Sequence, residues 1–365
     1  MNELNFTNDK ISLSDWLMLS FTPKFGYQVL TKLIDHFGSL KEALNNNINT
    51  LSKVIPTSLA HNIAMRNNYS EEVNNSLLWL RQSKDRYIIT LQDEIYPDYL
   101  RQISSPPLYL FAKGKIELLN NMKISIVGTR NPTSQGIENA KYFAYTLAKS
   151  GYTIVSGLAH GIDSYAHIGA IDTSASTIAV IGTGIDLYYP KQNKELQDKI
   201  SQNGLLLSEF KLNTPPLANN FPRRNRIVVG ISQACLVIES SIDGGSMISA
   251  NLALDMGRDV MAVPGSIHNP MTKGCHKLIK NGAKLVESIN DIIEELPLSN
   301  SQVNKSSDHV VDEFLGYLGY EAIHIDKICQ LSKLTIADVC AKLLEYELCD
   351  MIVNCGNGYY QKIFK

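Results

Sequence analysis

Residues 124–157 read ISIVGTRNPTSQGIENAKYFAYTLAKSGYTIVSG. The stretch opens on a short β-branched apolar run, 124–127, which has the length and composition of a strand. Farther along, Ile137, Ala140, Ala144, Leu147 and Ala148 recur at three- and four-residue steps, which predicts a helix over 137–149. Gly151 follows where a helix ends in left-handed backbone, and a second β-branched run, 153–155, begins at once. Strand, helix, glycine and strand in that order make one parallel crossover.

The same cadence continues outward. TIAVI (177–181), LLLS (205–208), CLVI (235–238), DVMAV (259–263) and KLV (284–286) follow at the spacing of one strand plus one helix. Gly204, Gly257 and Gly282 stand before the later runs as Gly151 stands before the second, each expected to close a helix in left-handed backbone. Runs that are apolar throughout suit strands buried on both faces. The fold class is therefore α/β, a Rossmann-like doubly wound parallel sheet spanning 71–297. Residues 1–70 read as a small helical domain, with a Pro23-Lys24-Phe25-Gly26 turn of helix-hairpin-helix or SAM type; its single glycine favours packing over a DNA grip. Residues 298–308 are polar and serine-rich, a linker. Helices over 309–319, 325–331 and 335–347, then a hairpin around Gly356-Asn357-Gly358, predict a winged helix over 309–365.

Composition narrows the function. The chain has 365 residues, 44% hydrophobic and 19% charged, ordinary for a globular protein. No apolar run approaches a membrane span and no leader is visible, so the expected location is the cytoplasm, with no membrane partner. The net charge is -2, so any nucleic-acid site is a local concentration of positive charge. Six cysteines include no CxxC pair; Cys235, Cys275, Cys329, Cys340, Cys349 and Cys355 read as reduced thiols, and no metal is expected.

In an open α/β sheet a ligand sits beyond the carboxyl ends of the strands. Five such ends carry glycine: Gly128 to Gly136, Gly157 to Gly161, Gly182-Thr183-Gly184, Gly244-Gly245-Ser246 and Gly265. Together they predict backbone N–H groups gathered around an anion. No G-x-G-x-x-G and no Walker A motif is present, so neither a dinucleotide nor any other cofactor is expected. Phe221-Pro222-Arg223-Arg224-Asn225-Arg226 places three guanidinium groups beside an aromatic ring, a pairing suited to phosphate and an unpaired base. Lys273, Lys277, Lys280 and Lys284 read as a solvated face. His160, Asp163 and His167 invite a catalytic reading, but Asp163 is expected to cap its helix and His167 to pack.

SIVGTRNPTSQG, SGLAHGIDSYAHIGA, TIAVIGTGIDLYYP, LLLSEF, FPRRNRIVVGIS, GGSMISANLAL and VPGSIHNPMTKGCHKLIKNGAKLV together resemble the DprA/Smf family of DNA-processing proteins over about 85–296. The resemblance implies a homodimeric, non-enzymatic protein. Its implied role is to bind single-stranded DNA, protect incoming strands during natural transformation and load the RecA recombinase. It places Gly128, Thr129, Arg130, Gly157, Phe221, Arg223, Arg224, Asn225, Arg226, Gly244, Gly245, Ser246 and Lys273 at the DNA. Arg130 and the three arginines 223, 224 and 226 would line one basic pocket. Two departures reduce charge, since His160 stands where the family has arginine and Ile168 where a basic residue is common. The alternative is a Rossmann-fold nucleotide phosphoribohydrolase, whose P-G-G-x-G-T motif neither Asp243-Gly244-Gly245-Ser246 nor Pro264-Gly265-Ser266 completes; a structural nucleotide-sensing module is the third reading.

From 308 to 365 there are five lysines, no arginines and nine acids, a net of 5 − 9 = −4. The third helix carries only Lys342, too few cations for a helix that reads the major groove. The isolated 308–365 fragment is expected to leave duplex DNA unbound at micromolar concentration in moderate salt. A shift of labelled duplex in a mobility assay would contradict this.

Overall fold

The computed structural model describes residues 10–296, 313–319, 322–348 and 352–362, in two compact units that divide between Pro297 and Leu298. The first unit is built on nine strands: β1 (Arg86–Thr90), β2 (Tyr109–Gly114), β3 (Lys123–Val127), β4 (Thr153–Ser156), β5 (Thr177–Val180), β6 (Leu205–Ser208), β7 (Ala234–Val237), β8 (Asp259–Ala262) and β9 (Lys284–Leu285). They lie in the order β1-β2-β6-β5-β4-β3-β7-β8-β9. The seven from β3 to β9 run parallel, and each of the seven apolar runs is one of them. Two strands escape the sequence pattern. β1 pairs antiparallel with β2, which pairs antiparallel with β6. Neither follows a crossover helix, and no hairpin turn joins them, so the cadence gave no signal.

Alternation along the strands divides the core between two faces. Ile124, Ile126, Ile154, Leu236 and Met261 face one side, where the helices Ser134–Lys149 and Ile162–Ala170 cover them through Ala140, Phe143, Leu147 and Ala166. Val155, Ile178, Val180, Cys235 and Val237 face the other, beneath the helices Asn220–Gly230 and Gly245–Asp255. Truncating one such fully buried leucine costs about 2–5 kcal/mol. The helices between Leu13 and Arg81 join this second core without a break at residue 70. Trp16 Nε1 donates to Leu108 O at 2.8 Å, and the Lys211 ammonium lies 4.4 Å from the Phe21 ring centre.

Gly151, Gly257 and Gly282 have the expected positive φ. Gly204 does not: its φ is −129°, which any residue adopts. Glycine is required there by space, because a Cβ would lie 2.4 Å from Thr177 O.

The second unit has a short helix Glu313–Gly316, two longer helices Ile325–Ser332 and Ile336–Leu348, and strands β10 (Ile323–His324), β11 (Ile352–Gly356) and β12 (Tyr359–Lys362) in the order β10-β12-β11. Phe314, Ile328, Val339, Leu343 and Ile352 form its core. The predicted hairpin turns through Gly356, Asn357 and Gly358, all at positive φ. This is a winged helix. The linker 298–308, residues 309–312 and Cys349 lie outside the described residues.

His167 packs, as its position suggested. Its Nδ1 is 2.7 Å from Thr177 Oγ1, whose own hydroxyl donates to Ile154 O. The hydroxyl therefore accepts from the ring, which puts the imidazole proton on Nδ1 and leaves Nε2 buried without a partner. Burial, and secondarily the charge of Arg224, lowers the His167 pKa from 6.5 to about 3. A depressed folded-state pKa contributes stability that is complete above 6.5 and lost as pH falls toward 3. Between pH 7 and pH 5 this one group is expected to cost about 2 kcal/mol. Urea midpoints at the two pH values measure the loss, and His167→Asn should shrink it.

Candidate nucleic-acid interface

β3 lies between β4 and β7. The chain leaves β3 for β4 by way of the helix Ser134–Lys149 on one face. It enters β7 from the helix Asn220–Gly230 on the other. Connections that part in this way open a crevice at the carboxyl ends of the central strands. Here the crevice is a cavity of about 440 Å³. Three loops wall it: Gly128, Thr129, Arg130 and Asn131 after β3; Gly157, Ala159 and Asp163 after β4; Ser240, Ser241, Gly244, Gly245 and Ser246 after β7. Phe221, Arg224 and Asn225 close it from the helix Asn220–Gly230.

Its electrostatics rest on one buried cation. Arg224 is 4% exposed and donates through Nη1 to Gly157 O and Val180 O, at the ends of β4 and β5, and through Nε to Asn225 Oδ1 at 3.1 Å. Burial lowers its pKa to about 10, against the attraction of Asp163, so it stays charged at neutral pH. Gly157 makes room for it: a Cβ there would sit 2.6 Å from the guanidinium. Burial likewise raises the pKa of Asp163, against the opposing pull of Arg224 and of the hydrogen bonds it accepts. Those come from Gly157 N at 3.1 Å and Ala159 N at 3.4 Å.

That arrangement corrects two expectations. Asp163 does not cap its helix. Gly161 holds the N-cap position, and the Asp163 carboxylate is spent on the preceding loop. Nor do the three arginines line one pocket. They lie on a helix, where residues 223 and 226 share a face and 224 points elsewhere. Glu209, itself 5% exposed, takes both of the others: Arg223 Nε at 3.0 Å and Arg226 through Nη2, while Arg226 Nη1 donates to Ser105 O. Lys273 also stands apart, lining a different surface with Ile242, Ile267 and His276. Of the five glycine runs, three reach the cavity. Gly182 instead lets the Phe221 ring approach, and Gly265 lies against Thr272.

What faces the cavity is an anion's surroundings. Arg130 is exposed and has no ion pair among the described residues. The carbonyl of Arg130 lies 3.0 Å from His160 Nδ1, which pins the loop. The helix Gly245–Asp255 starts at the cavity wall with Gly244 as N-cap and no side-chain cap, so its first N–H groups and the positive end of its dipole remain for a ligand. The Ser246 hydroxyl is not such a donor; it bonds to Ser240 Oγ at 2.8 Å. Phe221 supplies the apolar wall, with the Tyr189 ring 5.3 Å behind it. Sequence reasoning missed Ser240, Ser241 and Ser249 of the lining. Ser240 and Ser241, three and four residues past the end of β7, were the available signal.

A family profile for DNA recombination-mediator protein A matches residues 87–297, and one for the DprA winged helix domain matches 290–358. Protein Smf of Escherichia coli (strain K12) is 36% identical over 302 residues, which cover 79% of this chain and 80% of that protein. DNA processing protein DprA of Streptococcus pneumoniae (strain R6) is 44% identical over 206 residues, covering 56% of this chain and 73% of that protein. The X-ray structure of DprA from Streptococcus pneumoniae is similar at a TM-score of 0.68 and 34% identity, over 80% of this chain and 100% of that one. A structure on the single-stranded DNA binding mode of DNA processing protein A from Helicobacter pylori is similar at a TM-score of 0.52 and 32% identity, over 57% of this chain and 94% of that one. On profile, identity and fold together, the chain belongs to the DNA recombination-mediator protein A family, the DprA/Smf proteins.

Proposed function

We propose that this chain binds single-stranded DNA in the glycine-lined cavity, protects incoming strands during natural transformation and hands them to RecA, without catalysing a reaction. The observation that carries the binding is Arg130: an exposed guanidinium with no ion pair among the described residues, beside an uncapped helix N-terminus and an aromatic wall. A phosphate between Arg130 and the N–H groups of Gly245 and Ser246 gains a charge-assisted pair and the helix dipole. An unpaired base then meets Phe221, and a base held in a duplex stack does not. The similarity to the Helicobacter pylori protein supports the single-strand preference, and the seven matching sequence runs support the protective and RecA-loading role.

The phosphoribohydrolase alternative needs carboxylates free to act on the sugar. Among the described residues Asp163 is the cavity's one carboxylate, and it is held by two N–H groups. Glu239, nearby at the end of β7, is bound to the Thr133 hydroxyl and N–H. Binding is therefore the better-supported reading.

We assign the homodimer contact to the β9 edge. Ile242, Ile267 and Leu285 are 47%, 65% and 40% exposed around one apolar depression with Ile279, rimmed by Lys273, Lys277 and Lys280. A contiguous apolar patch on a two-residue edge strand suits an isologous contact with a second copy.

Two outcomes are expected. In fluorescence anisotropy with a labelled oligo-dT, Arg130→Ala should weaken binding about tenfold and lower the salt slope by about 0.7, the value for one phosphate contact on a single strand. Arg223→Ala, held by Glu209, should stay within about twofold of the parent protein, and a matched duplex should bind more weakly than the single strand. Equal loss in both variants would remove the assignment. In light scattering after size exclusion, Leu285→Arg should convert a dimer to a monomer with unchanged circular dichroism. A parent protein already monomeric at micromolar concentration would count against the dimer.

A further inference from the structure

A second cavity, of about 270 Å³, lies against β1, β2 and β6. Arg86 and Lys113 both line it, and they are direct partners in the antiparallel β1–β2 ladder. Like charges at paired positions repel. Neither has an ion pair among the described residues. The two carboxylates in the lining accept from neutral donors, Asp198 from Tyr188 Oη in the same lining at 2.7 Å and Asp186 from Asn213 N at 3.0 Å, while Arg86 Nη1 donates to Trp79 O and Gln82 Oε1. The most buried polar side chain of the lining is only half satisfied. Gln197 is 2% exposed; its Nε2 donates to Leu187 O at 2.8 Å, and its Oε1 is buried with no partner. The cavity thus offers two cations without an ion pair, two hydrogen-bonded carboxylates and one buried acceptor, which suits a ligand that carries an anionic group beside an N–H or O–H.

Adjacent residues link this cavity to the first. Tyr188 lines the second cavity. Tyr189, next in the chain, packs on Phe221 with ring centres 5.3 Å apart, and Phe221 lines the first. Both tyrosines are exposed, at 43% and 38%. Exposed rings in succession give the bases of a flexible strand surfaces to stack on.

We propose that a single strand seated in the glycine-lined cavity continues over Phe221 and Tyr189 and places a further phosphate on the Arg86–Lys113 pair, with a donor of that nucleotide on Gln197 Oε1. The inference rests on the single-strand reading of the first cavity, and it assigns a second contact point that depends on strand length.

The test uses the full chain and oligo-dT of increasing length, from three to twenty nucleotides. Lys113→Gln should leave the shortest oligomer bound as in the parent protein, weaken the longest about fivefold and lower its salt slope by about 0.7. Lys113→Arg should restore both. Trp79, beside the Arg86 guanidinium at 5.2 Å from its ring centre, should change fluorescence only with the longer oligomers. A Lys113→Gln protein that matches the parent at every length, or loses affinity equally at every length, overturns the proposal. So does a Trp79 change with thymidine monophosphate that Lys113→Gln abolishes while leaving the longest oligomer's affinity intact, which would make the cavity a site for free nucleotides. Arg130→Ala run in parallel separates the two readings. If it binds every length like the parent, the first cavity's assignment fails, whatever Lys113 shows.

Discussion

The buried guanidinium of Arg224 is the constraint on which the cavity depends. Taking a cation out of water costs several kcal/mol unless its hydrogen bonds and charge are met. Here Gly157 O and Val180 O accept from it, Asn225 Oδ1 takes its Nε, and the Asp163 carboxylate supplies the opposite charge. Those partners belong to the loop after β4, the end of β5 and the helix Asn220–Gly230, so one side chain fixes three elements. Gly157 follows as a necessity, because any side chain there would occupy the guanidinium's place. Lysine would keep the charge but not the planar group that meets both carbonyls through Nη1 and Asn225 Oδ1 through Nε at once. The cation is built into the wall, and the group left to meet a ligand is Arg130.

The same sorting runs through the rest of the basic residues. Glu209 pairs with both Arg223 and Arg226, the latter also tied to Ser105 O, so the densest cationic run in the sequence contributes one buried fixed charge and two that share a single carboxylate. A chain with net charge −2 then needs few free cations to make a selective site, because each stands where the backbone already presents donors. Charge that is internally paired adds little to the field a phosphate meets, whatever the residue count.

Much of the fold was legible because burial on both faces leaves a coarse signature: seven short apolar runs at one spacing, each becoming a parallel strand. β1 and β2 were not legible, since an antiparallel edge added after a long connection leaves no such cadence. The cavity was half legible. Glycine runs at strand ends showed where backbone approaches closely, and Gly128, Gly157, Gly244 and Gly245 all line it. The side chains were harder, because their direction depends on the helix phase and on partners distant in sequence. Asp163 looked like a cap until Arg224 and the loop N–H groups were seen around it, and Arg223 looked available until Glu209 was placed beside it.

Two neighbouring cation pairs show why partners matter more than proximity. Arg130 and Arg224 are close enough to lower the latter's pKa, yet Asp163 stands beside Arg224 and makes their shared cavity tolerable without a ligand. Arg86 and Lys113 face each other across a β ladder, and neither has an ion pair among the described residues. Strand pairing holds them there, since the backbone hydrogen bonds of β1 and β2 set the register regardless of side-chain charge. The cost of that repulsion is offset in part around the Arg86 guanidinium, which lies 5.2 Å from the Trp79 ring centre and donates to Trp79 O and Gln82 Oε1. A bound anion removes the cost, whereas at the first cavity it adds to a balance already struck. The two sites therefore differ in how their charge is held, the first by a buried arginine beside a buried acid and the second by cations whose neighbouring acids, Asp186 and Asp198, bond to neutral donors.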